Sequence, residues 1–247
     1  MHVVGMIPAR FESTRFPGKP LADINGKSMI RRVYEQSSKA KSLDAVIVAT
    51  DDQRIEEEVR SFGGECIMTS PDHVSGTDRL AEAVVGIEAD IIVNIQGDQP
   101  FIEPGMIDEA VEPLLDDPGL PMSTLMQKIT DPRDFDNPNV VKVVTDSKGC
   151  ALYFSRSRIP YSRSGESIVL FEHIGLYVYR KDFLCLLAVL SPTRLEKIES
   201  LEQLRVIENG YKIKVIETAR ISSELSGFSV DTPEDLDRIN EILGASS

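Results

Sequence analysis

Apolar and polar positions along the first half of the chain switch repeatedly between the period of a strand and the period of a helix. Val3–Ile7 is a short continuous apolar run, and a helix is expected from about Ser28 to Lys41. Ala45–Ala49 is a second apolar run and ends at Thr50-Asp51. Ile55, Val59 and Phe62 then mark one face of a helix that stops at Gly63-Gly64, a C-cap signal. A short strand, Cys66–Met68, leads into a helix on which Leu80, Ala83, Val84 and Ile87 follow the i, i+3, i+4, i+7 rule. Asp90–Ile95 reads as a strand, followed by a helix bearing Ile107, Ala110, Val111 and Leu114. Repeated βα units imply right-handed crossovers and an α/β fold with a mainly parallel central sheet and helices on both faces.

The second half has another texture. Strand-like runs at Met122–Ile129, Val140–Thr145, Ala151–Ser155 and Ile174–Tyr179 are separated by polar, Pro-containing loops. Mixed or antiparallel strands added to the parallel core are expected there. A helix follows over roughly Glu196 to Glu208, ending at Asn209-Gly210, then a strand at Lys212–Glu217. The last helix carries Leu236, Ile239 and Leu243. Thr232 is its expected N-cap, with Pro233 at N1 and Asp235 at N3, close to a capping box. No linker rich in Gly, Ser or Pro divides the 247 residues, so one α/β domain is expected. Within it, parts divide near 120 and 228, with Asp231 and the closing helix in 229–247.

Charge narrows the possible partners. The chain has 27 Lys and Arg against 40 Asp and Glu, a net −13. Such a field opposes nonspecific binding to nucleic acid or an anionic membrane. A polyphosphate ligand must then be held by local cations or metal ions. Cys66, Cys150 and Cys185 are an odd, scattered set, which suggests reduced core thiols in a cytoplasmic protein. No signal peptide and no membrane-spanning run are expected.

Three segments carry chemistry. Ile7–Leu21, IPARFESTRFPGKPL, sets Arg10, Arg15 and Lys19 among Pro8, Pro17, Gly18 and Pro20 at the end of a buried strand. A stiff cationic loop in that position is a sensible polyanion cradle. Neither a dinucleotide-binding G-x-G-x-x-G nor a P-loop is present: the first glycine of the latter would fall on Leu21. In the second segment, Gln96-Gly97-Asp98-Gln99-Pro100 follows an apolar strand, and Asp98 at that strand's end suits a divalent cation as readily as a polar turn. The third is Asp231, before a Thr-Pro helix start, where it can simply serve the helix N-terminus. Two carboxylates near a triphosphate repel it unless a cation lies between them. Hard Mg²⁺ is usually held by one or two carboxylates plus substrate oxygens and waters. The basic loop and the two acids therefore make sense together as a metal–nucleotide site. By spacing alone, Ser75-Gly76-Thr77-Asp78-Arg79 reads as a helix cap, His173 as a structural histidine and Glu202 as a solvated face.

The segments IPARFESTRFPGKPL, VATDD, SGTDR, NIQGDQP, NPNVVKVV, ALYFSRSRIP, HIGLYVYR, IESLEQLR and VDTPEDL, in this order from residue 3 to about 243, closely resemble the 3-deoxy-manno-octulosonate (Kdo) cytidylyltransferase family. That resemblance implies a glycosyltransferase-A-like nucleotidyltransferase fold, Mg²⁺ dependence, a homodimer, and transfer of CMP from CTP to Kdo with release of pyrophosphate, activating the sugar for lipopolysaccharide assembly. By matched position it implies that Pro8, Ala9, Arg10, Arg15, Lys19, Ser75, Thr77, Arg79 and Asp98 contact the nucleotide. Asp98 and Asp231 would ligate Mg²⁺, with Arg10 and Lys19 beside them as catalytic cations. Gln96, Arg156, His173, Tyr177, Glu202 and Gln203 would face the sugar acid. On the same resemblance 1–120 would be mainly the nucleotide-binding part, 121–228 mainly the sugar-binding and dimerisation part, and 229–247 would carry the metal-site Asp231 and the closing helix. Ser28 stands where Pro is usual after Gly-Lys, and Phe16 where Leu is common. Variation at Tyr161–Phe171 and Leu176–Val178 leaves an 8-amino-Kdo or another sugar acid open as the substrate. A metal-dependent glycosyltransferase and a nucleotide sensor are the readings from outside the cytidylyltransferases.

Overall fold

The computed structural model describes residues 1–12, 16–73, 75–220 and 228–245. The chain folds as two compact units, Met1–Asp108 with Arg220–Ser247, and Glu109–Ala219.

In the first unit, strand β1 (Val3–Ala9) runs into the basic loop, which re-enters regular structure as a 3₁₀ turn at Lys19–Leu21. A hairpin of β2 (Asp23–Ile24) and β3 (Lys27–Ser28) precedes helix α1 (Met29–Ser37). The Ser28 hydroxyl caps α1 by accepting from the Arg31 amide. Then come β4 (Ala45–Thr50), α2 (Gln53–Ser61), β5 (Glu65–Met68), α3 (Gly76–Ala83) and β6 (Ile91–Asn94). Helix α4 (Pro104–Asp116) carries the chain out of this unit.

Strand β1 pairs in parallel with both β4 and β6, and β4 pairs in parallel with β5. Val3, Val4, Met6 and Ile7 of β1 and all of β6 are buried, as expected for strands covered on both faces. Parallel alignment brings the loops after β1, β4 and β6 out at one edge, the carboxyl edge where open α/β sheets take their ligands. The third expected helix is shorter than its apolar pattern: α3 ends at Ala83 and a 3₁₀ turn, Val84–Gly86, follows, leaving Ile87 outside. Likewise α1 ends at Ser37, short of Lys41.

The second unit is built of β7 (Met122–Lys128), β8 (Lys142–Thr145), β9 (Ala151–Ser155), β10 (Phe171–Arg180), α5 (Lys181–Val189), α6 (Arg194–Glu199), α7 (Gln203–Glu208) and β11 (Ile213–Glu217). Strand β7 lies between β11, which is parallel to it, and β10, which is antiparallel. Strands β10, β8 and β9 continue in antiparallel pairs. The mixed texture of the sequence is thus a mixed sheet.

The single helix expected over Glu196–Glu208 is two. Ser200 adopts the left-handed conformation, φ 53°, and ends α6. The break has a cause: in one continuous helix, residues 196 and 205 would be separated by about 14 Å along the axis. Instead Arg205 Nη2 reaches Glu196 Oε1 at 2.5 Å and Nε reaches Oε2 at 2.9 Å, a buried bidentate pair. Helix α5, whose apolar run lacks a clean helical stripe, is an element the hydropathy pattern did not disclose. The three cysteines are free but half-buried rather than core residues.

The chain closes in the first unit with helix α8 (Pro233–Ala245). Its N-terminus is a reciprocal box: the Thr232 amide donates to Asp235 Oδ2 at 2.9 Å, and the Asp235 amide to Thr232 Oγ1 at 3.3 Å. Among the described residues, no helix is long and apolar enough to cross a membrane.

Candidate active site

A cavity of about 370 Å³ opens at the carboxyl edge of the first unit, lined by Pro8, Ala9, Arg10, Lys19, Ser75, Gln96, Asp98 and Asp231 among others. Lys19, Asp98 and Asp231 are each delivered by a different local device. Gly18, at φ 74°, makes the left-handed step that starts the 3₁₀ turn bearing Lys19. Gly97 lets the loop after β6 pass close to β1: a β-carbon there would lie 3.1 Å from the Pro8 carbonyl oxygen. Asp231 is brought in by the backbone, because the Val230 amide donates to the Asp98 carbonyl at 2.9 Å.

These three segments meet at one ammonium. Lys19 Nζ lies 3.0 Å from Asp98 Oδ2 and 3.3 Å from Asp231 Oδ1. The two acids, read from the sequence as partners for a cation, do share one. It is a lysine from the basic loop, which the family resemblance assigns to the nucleotide phosphates. Arg10 lines the same cavity, whereas Arg15 lies outside the described residues.

The SGTDR segment lines the cavity through Ser75, Gly76 and Arg79, and it makes structural bonds as well. Ser75 caps α3, its hydroxyl accepting from the Asp78 amide while its own amide donates to the Asp78 carboxylate. Thr77 is buried within the helix. Arg79 is buried as well: it donates to Asp51 Oδ2 at 2.7 Å and Thr69 Oγ1 at 2.5 Å, and so ties the ends of β4 and β5 to α3. His73, which the sequence did not single out, lines the cavity and is hydrogen-bonded to Glu82. That bond, followed by one from the Ser70 amide, holds the Glu82 carboxyl below its ordinary range. Asp51 is visible in the sequence only as the polar end of a strand.

Of the six residues matched to the sugar acid, Gln96 belongs to this cavity. The other five lie in the second unit. His173 and Tyr177 stand on β10 with ring centroids 5.3 Å apart, and Phe154 meets His173 edge-on at 5.0 Å. Burial pulls the His173 imidazole down to about 3, so its ring is neutral and pairs with Thr124 Oγ1 at 3.0 Å. Burial, reinforced by the Glu202 charge, pushes the Tyr177 phenol up. Arg156 donates from Nε to the Glu199 carbonyl and from Nη1 to the Pro138 carbonyl, at 2.8 and 2.9 Å. Its guanidinium is thus positioned by carbonyls and not charge-neutralised by them. Glu199 is the organiser here, accepting from Ser155 Oγ at 2.7 Å and from the Arg156 amide at 3.0 Å. Lys142 is fully buried, its ammonium donating to the carbonyls of Asn137, Val140 and Arg156. Gln203 is buried at the start of α7.

The cytidylyltransferase family model matches residues 4–213. The enzyme named 3-deoxy-manno-octulosonate cytidylyltransferase in Syntrophotalea carbinolica is 54% identical, over 98% of this chain and 99% of its own. The chain belongs to the 3-deoxy-manno-octulosonate cytidylyltransferase family. A second member, from Geobacter sulfurreducens, is 52% identical over 98% of this chain and the whole of its own. A solved CMP:2-keto-3-deoxy-manno-octonic acid synthetase, complexed with CTP, superposes with a TM-score of 0.94 at 43% identity, covering all of both chains. The chain is therefore a cytidylyltransferase with the mixed α/β fold of that family, as the sequence led us to expect.

Proposed function

We propose that this cytidylyltransferase transfers CMP from CTP to the anomeric 2-hydroxyl of Kdo, giving CMP-Kdo and pyrophosphate. The observation that carries the reading is the convergence of Asp98, Asp231 and Lys19 beside Arg10 in one cavity. Full-length similarity to enzymes named for this sugar acid supports the choice of substrate.

The residues present fit Mg²⁺. Asp98 and Asp231 offer hard oxygen donors already disposed about a cation, and magnesium needs only one or two such carboxylates when substrate oxygens and water complete its shell. When bound there, the ion neutralises phosphate charge and lowers the pKa of a coordinated hydroxyl. The cavity holds no cluster of three or more acidic, His or Cys ligands among the described residues, so substrate oxygens must supply the rest.

The chain's own groups do the remaining work. Arg10 and Lys19 offset charge on the β- and γ-phosphates, the groups that leave together as pyrophosphate. The sugar 2-oxygen forms its bond to the α-phosphorus in line with the departing bridge oxygen, which keeps the electron pair of the breaking bond. The hydroxyl proton passes to solvent. Arg156 pairs with the sugar carboxylate through guanidinium N–H groups beyond those given to carbonyls. The neutral His173 and the un-ionised Tyr177 bond sugar hydroxyls, and the reading assigns Gln96, Glu202 and Gln203 polar contacts to the sugar as well. The reading includes a homodimer and a cytoplasmic location. The free thiols suit a reducing compartment.

Pyrophosphate release tests the proposal, with CTP presented alongside Kdo, 8-amino-Kdo, a sialic acid and an alditol phosphate, with and without Mg²⁺. Release with Kdo, dependent on Mg²⁺, is expected. Release with another acceptor and none with Kdo would move the specificity, and no release with any acceptor would leave a nucleotide-binding protein.

A further inference from the structure

We propose that Lys19 gates the metal site, occupying the position between Asp98 and Asp231 until a nucleotide draws it away, so that CTP binds before the divalent ion. The inference rests on the Mg²⁺ reading above and adds an order of binding.

The ammonium and a divalent ion compete for the same oxygens. Lys19 Nζ stands 3.0 and 3.3 Å from one oxygen of each aspartate. Mg²⁺ holds its ligands at about 2.1 Å. Asp98 and Asp231 would hold the ion through the carboxylates that now face the ammonium, so the two cations would compete for them. The ammonium is well shielded: the Lys19 side chain is 16% exposed, against 26% for Asp98 and 35% for Asp231. Partial burial keeps this attraction from being screened as a surface pair would be. The lysine also cancels one of two negative charges, and the charge count of the ligands is what sets the affinity of carboxylate sites for divalent cations.

The geometry also supplies the release. The backbone of Lys19 is fixed by Gly18 and Pro20, but its side chain is a flexible four-carbon stem. Arg10 lines the same cavity, so a triphosphate held there offers Lys19 new anionic partners within reach of its present ones. Moving the ammonium to a phosphate takes its positive charge away from both carboxylates when phosphate oxygens are also at hand to complete the shell. Metal and nucleotide then enter as a coupled pair, and a divalent ion without CTP finds a partly neutralised site.

The test uses Mn²⁺ as a spectroscopic probe of the full-length protein, with free Mn²⁺ read by electron paramagnetic resonance and no nucleotide added. Lys19→Met should bind Mn²⁺ roughly tenfold or more tightly than the wild type, because the competing charge is gone. Lys19→Arg, which keeps a cation there, should stay near the wild type. Adding Asp98→Asn to Lys19→Met should abolish the gain. Lys19→Gln gives the same comparison should the Met variant fail to melt cooperatively. Equal or weaker Mn²⁺ binding by Lys19→Met and Lys19→Gln would overturn the gate and make Lys19 a brace that preorganises the acids. The metal reading survives that result if Asp98→Asn still removes metal-dependent turnover; it fails separately if Asp98→Asn changes neither binding nor turnover.

Discussion

Asp98 and Asp231, 133 residues apart in the sequence, share the ammonium of Lys19 at 3.0 and 3.3 Å. The backbone enforces their meeting as much as the charge does, through the bond from the Val230 amide to the Asp98 carbonyl. A pair of acids held this way remains a pair when the lysine moves, which is what a site that exchanges an internal cation for an external one requires.

Gly97 keeps the Asp98 loop close to β1. A β-carbon at this position meets the Pro8 carbonyl at 3.1 Å and the Ile7 side chain at 3.6 Å, so the loop or the strand end must give by a few tenths of an ångström. Gly97→Ala should lower kcat/KM on the order of tenfold, because small displacements of positioned groups are expensive in a transition state. Thermal unfolding should be nearly unchanged. Full activity would mean that the loop has slack the site does not use.

Burial of the Glu196–Arg205 pair predicts a stability effect in the second unit. The side chains are 11% and 9% exposed. Burial pushes the Glu196 carboxyl up, but bonds from Arg205 and the Thr193 amide more than offset it and hold it below its ordinary value. Arg205→Met leaves that carboxylate buried without its partner and should cost about 3–5 kcal/mol in urea unfolding. The double variant Glu196→Met, Arg205→Met should recover most of the loss, and failure to recover would show that the break at Ser200 depends on the charges themselves.

Stability in mild acid should report His173. Its ordinary value of 6.5 falls to about 3 in the fold, so between those limits the unfolded chain binds a proton the folded state refuses. Its contribution is complete above 6.5 and is lost as pH falls toward 3. His173→Gln should therefore flatten the dependence of unfolding free energy on pH between 6.5 and the carboxylate range near 4.5. Identical slopes would place the ring in contact with water.

Much of this was legible in the sequence, because the parallel strands are short apolar runs that end in chemistry: Ile7 before the basic loop, Ile95 before Gln96 and Asp98, Thr50 before Asp51. Buried strands leave no alternation to misread, and the helices between them show clean apolar faces. What stayed hidden is what depends on contacts distant in sequence. The buried bond of Arg205 to Glu196 splits a segment that looks like one helix. Glu199 and Lys142 look like solvated charges, yet their partners are a hydroxyl and an amide in one case and three carbonyls in the other. Arg79 reads by spacing as part of a helix cap, and its bond to Asp51 at 2.7 Å is not visible there.

The most direct test of the central claim is a double-mutant cycle on pyrophosphate release with CTP, Kdo and Mg²⁺. Asp98→Asn should lower kcat by roughly a hundredfold or more, on the order of 3 kcal/mol, and Asp231→Asn by a comparable factor. If both acids serve one ion, the double variant should be scarcely worse than either single one, since removing half of a two-part site already disables it. Losses that multiply, or near-wild-type turnover in either single variant, would contradict a shared site.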